Sequence, residues 1–195
     1  MNSLDQIIEA SFRNFHAKGL DYICLKRSVD LTVKVYFFDE CCSCPEVVYP
    51  HDHRYDFSTK VICGTVANWV YRKDELGARF NCFRFYTPLN GGQGFVWDSE
   101  ARLLRGSDTY CAGERYVSPF DAIHTITVQS DTILMLNQYT DLKAIDQPSF
   151  LYSKSNEPIS LDGLYEKHTP DQILARLRLL DGLLGSSYFT EFARK

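Results

Sequence analysis

The sequence lacks the features that mark membrane, secreted and nucleic-acid-binding proteins. Its longest apolar runs, such as 132–136, are far shorter than the ~20 apolar residues that a membrane-spanning helix needs. No block of Lys and Arg and no basic amphipathic helix stands out in this chain of net charge −4. Residues 1–15 carry acidic groups and no continuous apolar segment, so we expect no signal peptide. The sequence therefore predicts neither a membrane segment nor a nucleic-acid partner.

A regular cysteine pattern is also missing. The seven cysteines are scattered, and an odd, scattered set is typical of reduced thiols in a cytoplasmic protein rather than of a disulfide framework. Cys41, Cys42 and Cys44 lie close together, but structural zinc needs two ligand pairs and no second cysteine pair follows. We expect these three to be loop thiols, with a cysteine metal site as the alternative, and we expect a cytoplasmic location.

The composition is that of one globular domain. The 195 residues are 45% hydrophobic and 24% charged, which is typical of a folded domain with a substantial core. No linker, repeat or low-complexity segment divides the chain, so we predict a single domain over 1–195. Aromatic residues make up 14% of the chain and recur within β-like runs, which favours a sheet structure.

Helical patterns occur only near the two ends of the sequence. The spacing of apolar residues predicts a first helix over 3–18, which a capping box begins and Gly19 closes. A second capping box begins a helical extension over about 169–194, in which 187–194 is a separate short helix. We expect the stretch 141–167, which contains two prolines, to form loops and turns.

The region between the helices, about 20–140, has the pattern of successive strands. Leu31–Phe38 is a partly alternating apolar run, 57–71 contains two strands that hinge near Gly64, and 79–86 is a further strand. Many short strands at close spacing indicate a sandwich or barrel, of which the jelly roll is one form. We therefore predict an all-β fold, a jelly-roll barrel with flanking N- and C-terminal helices.

Three histidines stand in segments that could form a metal site. Because residues two apart in a strand point to the same side, His51 and His53 can direct two imidazoles at one point inside a barrel. A second segment runs from Gly113 through Pro119 to His124, and its spacing predicts a turn into a strand that ends on a third imidazole. Imidazole is a ligand for iron, zinc, copper and nickel, so these histidines are the candidate metal ligands.

The two segments resemble the two motifs of the cupin family. The first is similar to G-x5-H-x-H-x3,4-E-x6-G, and the second is similar to G-x5-P-x-G-x2-H-x3-N. Together they span about 45–138, and the resemblance implies a barrel in which the three histidines bind one divalent metal. The matching positions are His51, His53 and Gly64 in the first motif and Gly113, Pro119 and His124 in the second.

The first motif departs from the family pattern at its glutamate. Phe57 or Ser58 occupies the expected place, and Asp56 stands one residue early. The metal ligands are therefore either the three histidines alone or a set that includes Asp56. Strict alternation from His53 puts Asp56 on the opposite face of a strand. A carboxylate that orients a ligand imidazole and a carboxylate that caps a turn are the two other roles we consider for Asp56.

A three-histidine cupin without the glutamate resembles the thiol dioxygenase branch, typified by cysteine dioxygenase. That resemblance implies an iron(II) ion with open positions for a substrate and O2. It implies that Arg27 binds a substrate carboxylate and that Tyr139 is the active-site tyrosine, whereas an exposed arginine and a plain barrel tyrosine are the alternatives. Ser58 stands nearest the place of the cysteine that this branch crosslinks to its tyrosine, so we expect no crosslink and assign no cysteine substrate.

The expected function is that of an iron(II)-dependent dioxygenase that oxidises a small polar, thiol- or carboxylate-bearing molecule with O2. One alternative is a non-oxidative metal enzyme on the same scaffold, an isomerase, decarboxylase or hydrolase that uses zinc, nickel or manganese. Another alternative is a non-catalytic barrel that holds a ligand. By analogy with the family, we also expect a homodimer.

Overall fold

The computed structural model describes residues 3–15, 19–38, 49–87, 91–144, 146–157, 160–187 and 189. Strands make up most of this part of the chain, and one helix lies at each end. The elements are α1 (Leu4–Ala10), β1 (Phe12–Arg13), β2 (Asp21–Arg27), β3 (Leu31–Phe38), β4 (Tyr55–Cys63), β5 (Thr65–Tyr86), β6 (Gly94–Cys111), β7 (Arg115–Ser118), β8 (Ile123–Val128), β9 (Thr132–Asp141), β10 (Ser149–Ser153), β11 (Glu166–Lys167) and α2 (Pro170–Leu184).

The strands form two antiparallel sheets that face each other. The larger sheet has the order β11-β1-β2-β3-β9-β4-β7, and the smaller has the order β10-β5-β6, with β8 paired to β5. Phe57 on β4 lies 5.4 Å (ring centroids) from His124 on β8, which shows that inward side chains of the two sheets meet. The predicted all-β barrel with flanking helices is confirmed.

Alternation along the strands of the larger sheet divides the core into two layers. On β9, Leu134 and Leu136 face the smaller sheet and pack with Phe57 and Val61. The intervening residues of β9 face outward, where Ile133 belongs to a cluster with the helices. Burial of apolar area on both faces explains why helices cover this sheet. The outer cluster contains Ile7, Ile23, Leu25, Val35, Phe37, Ile133, Ile173, Leu177, Leu180 and Phe189.

The first helix is shorter than its apolar spacing predicts, because it ends at Ala10 rather than at residue 18. Ser11 has an extended backbone, and its hydroxyl accepts a hydrogen bond from the backbone N–H of Cys24 at 2.9 Å. The chain then continues as β1, where Phe12 pairs with Tyr22. Aromatic packing in the tertiary structure thus overrides the local helical pattern. The cluster that β1 joins contains Phe12, Phe15, Tyr22 and Cys24.

The stretch 141–167, predicted as loops and turns, contains two strands. Ser149–Ser153 pairs with β5, and Glu166–Lys167 pairs with β1. Both strands are too short to show a periodic pattern, and their partners lie far away in the sequence. The segments 65–71 and 79–86, predicted as separate strands, form the single strand β5 with an irregularity between Lys73 and Ala78.

The hinge at Gly64 and the start of the second helix are confirmed. Gly64 has a φ of 77° and joins β4 to β5. Thr169 caps α2 in a capping box with Gln172, and Gly185 ends the helix in the left-handed conformation. Most of the short helix predicted over 187–194 lies outside the described residues. Within the described part of the chain, no helix has both the length and the hydrophobicity needed to cross a membrane.

Candidate metal centre

The backbone fixes the segment that carries His51 and His53 between the two sheets. His51 exchanges two backbone hydrogen bonds with His124, both of 2.9 Å, so that these residues lie side by side. His53 donates its backbone N–H to the carbonyl oxygen of Phe120 at 2.9 Å, in the loop before β8. The histidine pair is therefore bound directly to the chain segment that delivers the third histidine.

The three predicted ligands form one cluster. One ligand atom from each of His51, His53 and His124 lies within 4.8 Å of the other two. Nε2 of His53 is 2.9 Å from Nε2 of His124. Two nitrogens that each bind one ion at ~2.1 Å are ~3.0–3.4 Å apart at ordinary coordination angles, so the separation of this pair is close to that of two ligands of one ion.

Hydrogen bonds fix the tautomers of two imidazoles. Nδ1 of His51 lies 2.8 Å from the carbonyl oxygen of Tyr49, which only accepts, so this nitrogen carries the proton. Nδ1 of His124 lies 2.8 Å from Oδ1 of Asn68 and donates to it. In both rings the lone pair is left on Nε2. Such outer hydrogen bonds are typical of histidines that bind a metal.

Burial keeps these imidazoles in the form that binds a metal. The pKa of His51 is lowered, chiefly because burial penalises the charged ring. The pKa of His124 is lowered well below its usual value, first by burial and then by the charge of His51. Neutral imidazole is the form that binds a metal. His51 and His124 are therefore in that form near neutral pH.

An apolar ring occupies the place where the cupin motif has its glutamate. The ring of Phe57 lies 4.7 Å from that of His53 and 5.4 Å from that of His124, and the residue is 1% exposed. Ser58, the other residue at this place, faces the opposite side of β4. Among the described residues, the cluster of candidate ligands contains the three histidines and no carboxylate.

Asp56 holds the loop that leads to β8. Its Oδ1 accepts a hydrogen bond of 2.8 Å from the backbone N–H of Phe120. The same residue, Phe120, accepts the backbone N–H of His53. Asp56 thus takes the loop-capping role among those considered for it, and its hydrogen bond positions the chain between Pro119 and His124.

Asn68 is a site residue that the sequence analysis missed. It lies on β5, is 4% exposed, and its amide oxygen accepts from His124. The signal in the sequence is weak: one amide stands in the β-like run 65–71. Only the pairing of β5 with β8 shows that this amide faces the third histidine.

A cavity of about 860 Å³ opens onto the histidine cluster. His51 and His53 form part of its wall, whereas His124 lies behind them and is 5% exposed. The remaining wall combines aromatic rings with a few charged groups, as is common in small-molecule sites. The charged lining residues are Arg27, Lys34, Asp52, Arg54 and Asp141.

The structure places Arg27 in this cavity and turns the Tyr139 hydroxyl away from the imidazoles. Arg27 is an exposed residue whose positive charge opposes the rise that burial causes in the pKa of Tyr22 and of Cys24. Tyr139 lies at the cavity wall, but its hydroxyl is 3.0 Å from that of Ser58. Because Ser58 faces the opposite side of β4 from Phe57, the Tyr139 hydroxyl does not reach the histidine cluster.

Tyr55 is the tyrosine that lies beside the cluster. Its ring is 5.3 Å from that of His53, and it lines the cavity. Burial raises the pKa of its hydroxyl well above the usual value, so the phenol stays protonated. The sequence signal was available: His51, His53 and Tyr55 follow each other at the spacing that places alternate strand residues on one side.

The Asp52 carboxylate anchors the histidine segment to Lys143 and to β10. The Asp52 carboxylate is 2.7 Å from Nζ of Lys143, with both side chains almost fully buried. Its other oxygen accepts the backbone N–H of Phe150 at 2.7 Å. Asp52, the residue between the two histidines, is therefore held in place. The ion pair and the hydrogen bond offset the cost of burying its charge.

The cysteines and one further histidine are also side chains of a kind that binds metals. Cys41, Cys42 and Cys44 fall outside the described residues. The described cysteines are free thiols, and none of them belongs to the histidine cluster. His168 is buried beside α2, with no hydrogen-bond partner on its Nε2 among the described residues.

Comparisons with known proteins give only weak likenesses. No protein family and no curated protein matches the sequence. Among solved structures, the chain is similar to Streptomyces albus HEPD with 2-hydroxyethylphosphonate and Fe(II) bound, at 9% identity and a TM-score of 0.44, over 71% of this chain and 26% of that one. It is also similar to an RmlC-like cupin from Shewanella frigidimarina, at 15% identity and a TM-score of 0.37, over 69% and 88% of the two chains.

A third similar structure is the hydroxypropylphosphonic acid epoxidase from S. wedmorenis, at 11% identity and a TM-score of 0.41, over 69% of this chain and 57% of that one. The chain thus spans about a quarter of the length of the Streptomyces albus protein and just over half of the epoxidase. Likenesses of this strength carry no conclusion about the chemistry of this chain.

Proposed function

We propose that the chain binds one iron(II) ion through His51, His53 and His124 and oxidises a small carboxylate- or thiol-bearing molecule with O2. The observation that carries the proposal is the convergence of three imidazoles, two of them with a fixed Nε2 lone pair, at the wall of a cavity. Three protein ligands leave further positions on an ion for a substrate and O2. Bound iron(II) supplies the one-electron chemistry that O2 activation needs.

The protein's own residues position and shield the reactants. Asn68 and the Tyr49 carbonyl hold two of the imidazoles in the required tautomer. The Phe57 ring fills the side of the cluster where a fourth protein ligand would otherwise bind, and it keeps water away from that side. Tyr55 presents a protonated phenol beside His53, which can donate a hydrogen bond to a bound molecule.

Arg27 is the residue we propose for the carboxylate of the substrate. A guanidinium matches a carboxylate with two parallel hydrogen bonds. Arg27 is exposed and lines the cavity that opens onto the histidine cluster, so that a molecule entering the cavity can reach its guanidinium. Holding the carboxylate there would orient the rest of a small molecule towards the histidine cluster, and orientation of this kind supplies a large part of catalysis.

The same donor set supports a second candidate. Three neutral imidazoles also suit zinc or nickel, which would give a non-oxidative enzyme such as a hydrolase, an isomerase or a decarboxylase. The identity of the native metal therefore separates the two candidates.

The test is the metal content of protein purified without added metal. We expect about one iron per chain, lost in His51→Ala and in His124→Ala and retained in His168→Gln, which changes a histidine outside the cluster. Iron-dependent O2 uptake would then be assayed with thiols and carboxylates. Zinc or nickel in place of iron would favour the non-oxidative candidate. Absence of metal even after reconstitution would contradict the metal site itself.

A further inference from the structure

A lysine lies buried at the wall of the same cavity. Lys34 is on β3, opposite Cys24 on one side and Leu136 on the other, and it is 5% exposed. Its alternation places it with Thr32, another lining residue, on the inward face of the larger sheet. A lysine at this position is unusual, because buried lysines are rare unless they are paired.

Aromatic rings surround the Lys34 ammonium. Nζ lies 5.4 Å from the ring centroid of Phe15, 5.2 Å from that of Tyr22 and 5.8 Å from that of Tyr55. Within the described part of the chain, Lys34 makes no hydrogen bond and no ion pair within 4.0 Å. Cation–π attraction offsets only part of the cost of burying an ammonium group.

The carboxylates of the cavity wall already have other partners. Asp52 is paired with Lys143 at 2.7 Å, and Asp141 is paired with Arg54 at 3.1 Å. Asp141 still attracts Lys34 electrostatically, but its pairing with Arg54 weakens that attraction. Arg54 and Lys143 also reduce the repulsion that the two carboxylates would exert on an incoming anion. Among the described residues, the Lys34 ammonium group thus has no carboxylate within ion-pair distance, and a buried ammonium group in that state attracts an anion.

We propose that Lys34 is a substrate-binding residue that, together with Arg27 in the same cavity wall, holds the carboxylate of the molecule bound beside the histidine cluster. The Tyr55 ring contacts both sites, since it lies 5.3 Å from the ring of His53 and 5.8 Å from Nζ of Lys34. A small molecule that lies along this ring reaches the histidines at one end and Lys34 at the other. The chemistry at the first end rests on the proposed function, whereas the anion site at Lys34 does not require a metal.

The experiment measures binding of carboxylate probes to the full chain, with metal removed and with metal restored. The probes are propionate and succinate, and propionamide is the neutral counterpart. The variants are Lys34→Met, which places an uncharged side chain of similar length among the aromatic rings, and Lys34→Arg, which keeps a positive charge there. Lys26→Met, at an exposed lysine on the neighbouring strand, is the matched control.

We expect the metal-free wild type and Lys26→Met to bind both carboxylates and to bind propionamide much more weakly. Lys34→Met should weaken carboxylate binding about tenfold or more, as loss of a charge-assisted hydrogen bond predicts, and Lys34→Arg should retain more of it. A folded Lys34→Met that binds carboxylates like the wild type would overturn the proposal. A wild type that binds no carboxylate, or binds propionamide equally well, would overturn it too.

The two proposals fail separately in this design. If no preparation binds iron but Lys34→Met loses carboxylate binding, the anion site stands and the iron-dependent function does not. If iron binds with the expected stoichiometry and Lys34→Met binds carboxylates like the wild type, the iron site stands and the anion site at Lys34 does not. A melting curve for each variant establishes that it is folded, because a methionine among three rings should preserve the core.

Discussion

Single side chains decide how the histidine cluster would hold a metal, and Asn68 is the clearest case. Its amide accepts the Nδ1 proton of His124 and so fixes both the tautomer and the ring orientation. Asn68→Ala should lower metal affinity by ~10–100-fold, because loss of such an outer hydrogen bond has an effect of that size. Competition with a metal indicator would measure it. Asn81→Ala, which removes a hydrogen bond to Ser155, is the control. Equal affinities in the two variants would contradict this role.

Because of Lys34, the free energy of unfolding should change with pH in the alkaline range. Burial, the largest cause, lowers the pKa of Lys34 from 10.5 to about 8, so between these values the unfolded chain binds a proton that the folded chain does not. The cost of the buried charge is therefore fully present below pH 8 and disappears as pH rises towards 10.5. This difference corresponds to about 3 kcal/mol, from which the lost cation–π contacts must be subtracted.

At pH 7 the free energy of unfolding of Lys34→Met should consequently exceed that of the wild type by about 1–3 kcal/mol, so that the variant unfolds at a higher denaturant concentration. The advantage should shrink as pH rises through 8 to 10.5. Tyr55 cancels in the difference between the two proteins, whereas the pKa of Cys24, which burial raises and the Lys34 charge partly lowers, should rise further in the variant. Denaturant titrations of the two proteins and of Lys26→Met across this range would measure it. A variant that is less stable at pH 7 would show that the ammonium group stabilises the fold.

At the scale of elements, the turn at Gly64 allows β4 and β5 to enter different sheets. Its φ of 77° lies in the left-handed region, and a Cβ there would overlap the Thr132 side chain and lie 2.8 Å from its Cα. Gly91 has the same φ of 77° with open space around it. Gly91→Ala should therefore cost about 1–2 kcal/mol, and Gly64→Ala should cost a further ~1–3 kcal/mol from overpacking. Equal losses in denaturant unfolding would show that Thr132 moves freely.

The loop before β8 offers a test of what Asp56 does. Asp56→Ala removes the acceptor for the Phe120 N–H and should cost about 1–3 kcal/mol, whereas Asp56→Asn keeps an acceptor oxygen and should cost less. Both variants should keep the metal stoichiometry of the wild type, because Asp56 is not part of the ligand cluster. Metal analysis beside unfolding curves would separate the roles. Loss of metal in Asp56→Asn would identify a ligand instead.

The elements that the sequence predicts well are those with strong local signals. The long strand β3, the hinge at Gly64 and the cap of α2 each carry their information within a few residues. The helix expected over 3–18 failed because its apolar residues also suit β1, and only packing against Tyr22 decides between them. β10 could not be predicted, because its five residues become a strand only by pairing with β5.

The site shows the same division between local and distant information. His51 and His53 could be placed together by strand alternation, and His124 could be added only through a resemblance between motifs. Asn68 and Lys34 could not be identified, because each owes its position to pairing with a strand distant in sequence. Tyr139 is predicted from the resemblance to the thiol dioxygenase branch, but the direction of its hydroxyl depends on a register that the sequence does not reveal.

Across the whole molecule, the histidine segment connects the two sheets. Its backbone is bonded to β8 and β10 of the smaller sheet, and it continues into β4 of the larger one. An ion bound by all three histidines would therefore resist separation of the sheets, and a ligand that binds only the folded state stabilises it by mass action.

Adding iron(II) under anaerobic conditions at 100 times its dissociation constant should add about 2.7 kcal/mol to the free energy of unfolding, or roughly 5–10 °C to the melting temperature. A chelator should reverse the shift. His124→Ala lacks one ligand and the interaction with Asn68, so its melting temperature should no longer respond to the metal. An equal shift in His124→Ala would mean that the ion binds elsewhere. No shift in the wild type would mean that the cluster, although geometrically suited to an ion, does not hold one in the folded chain.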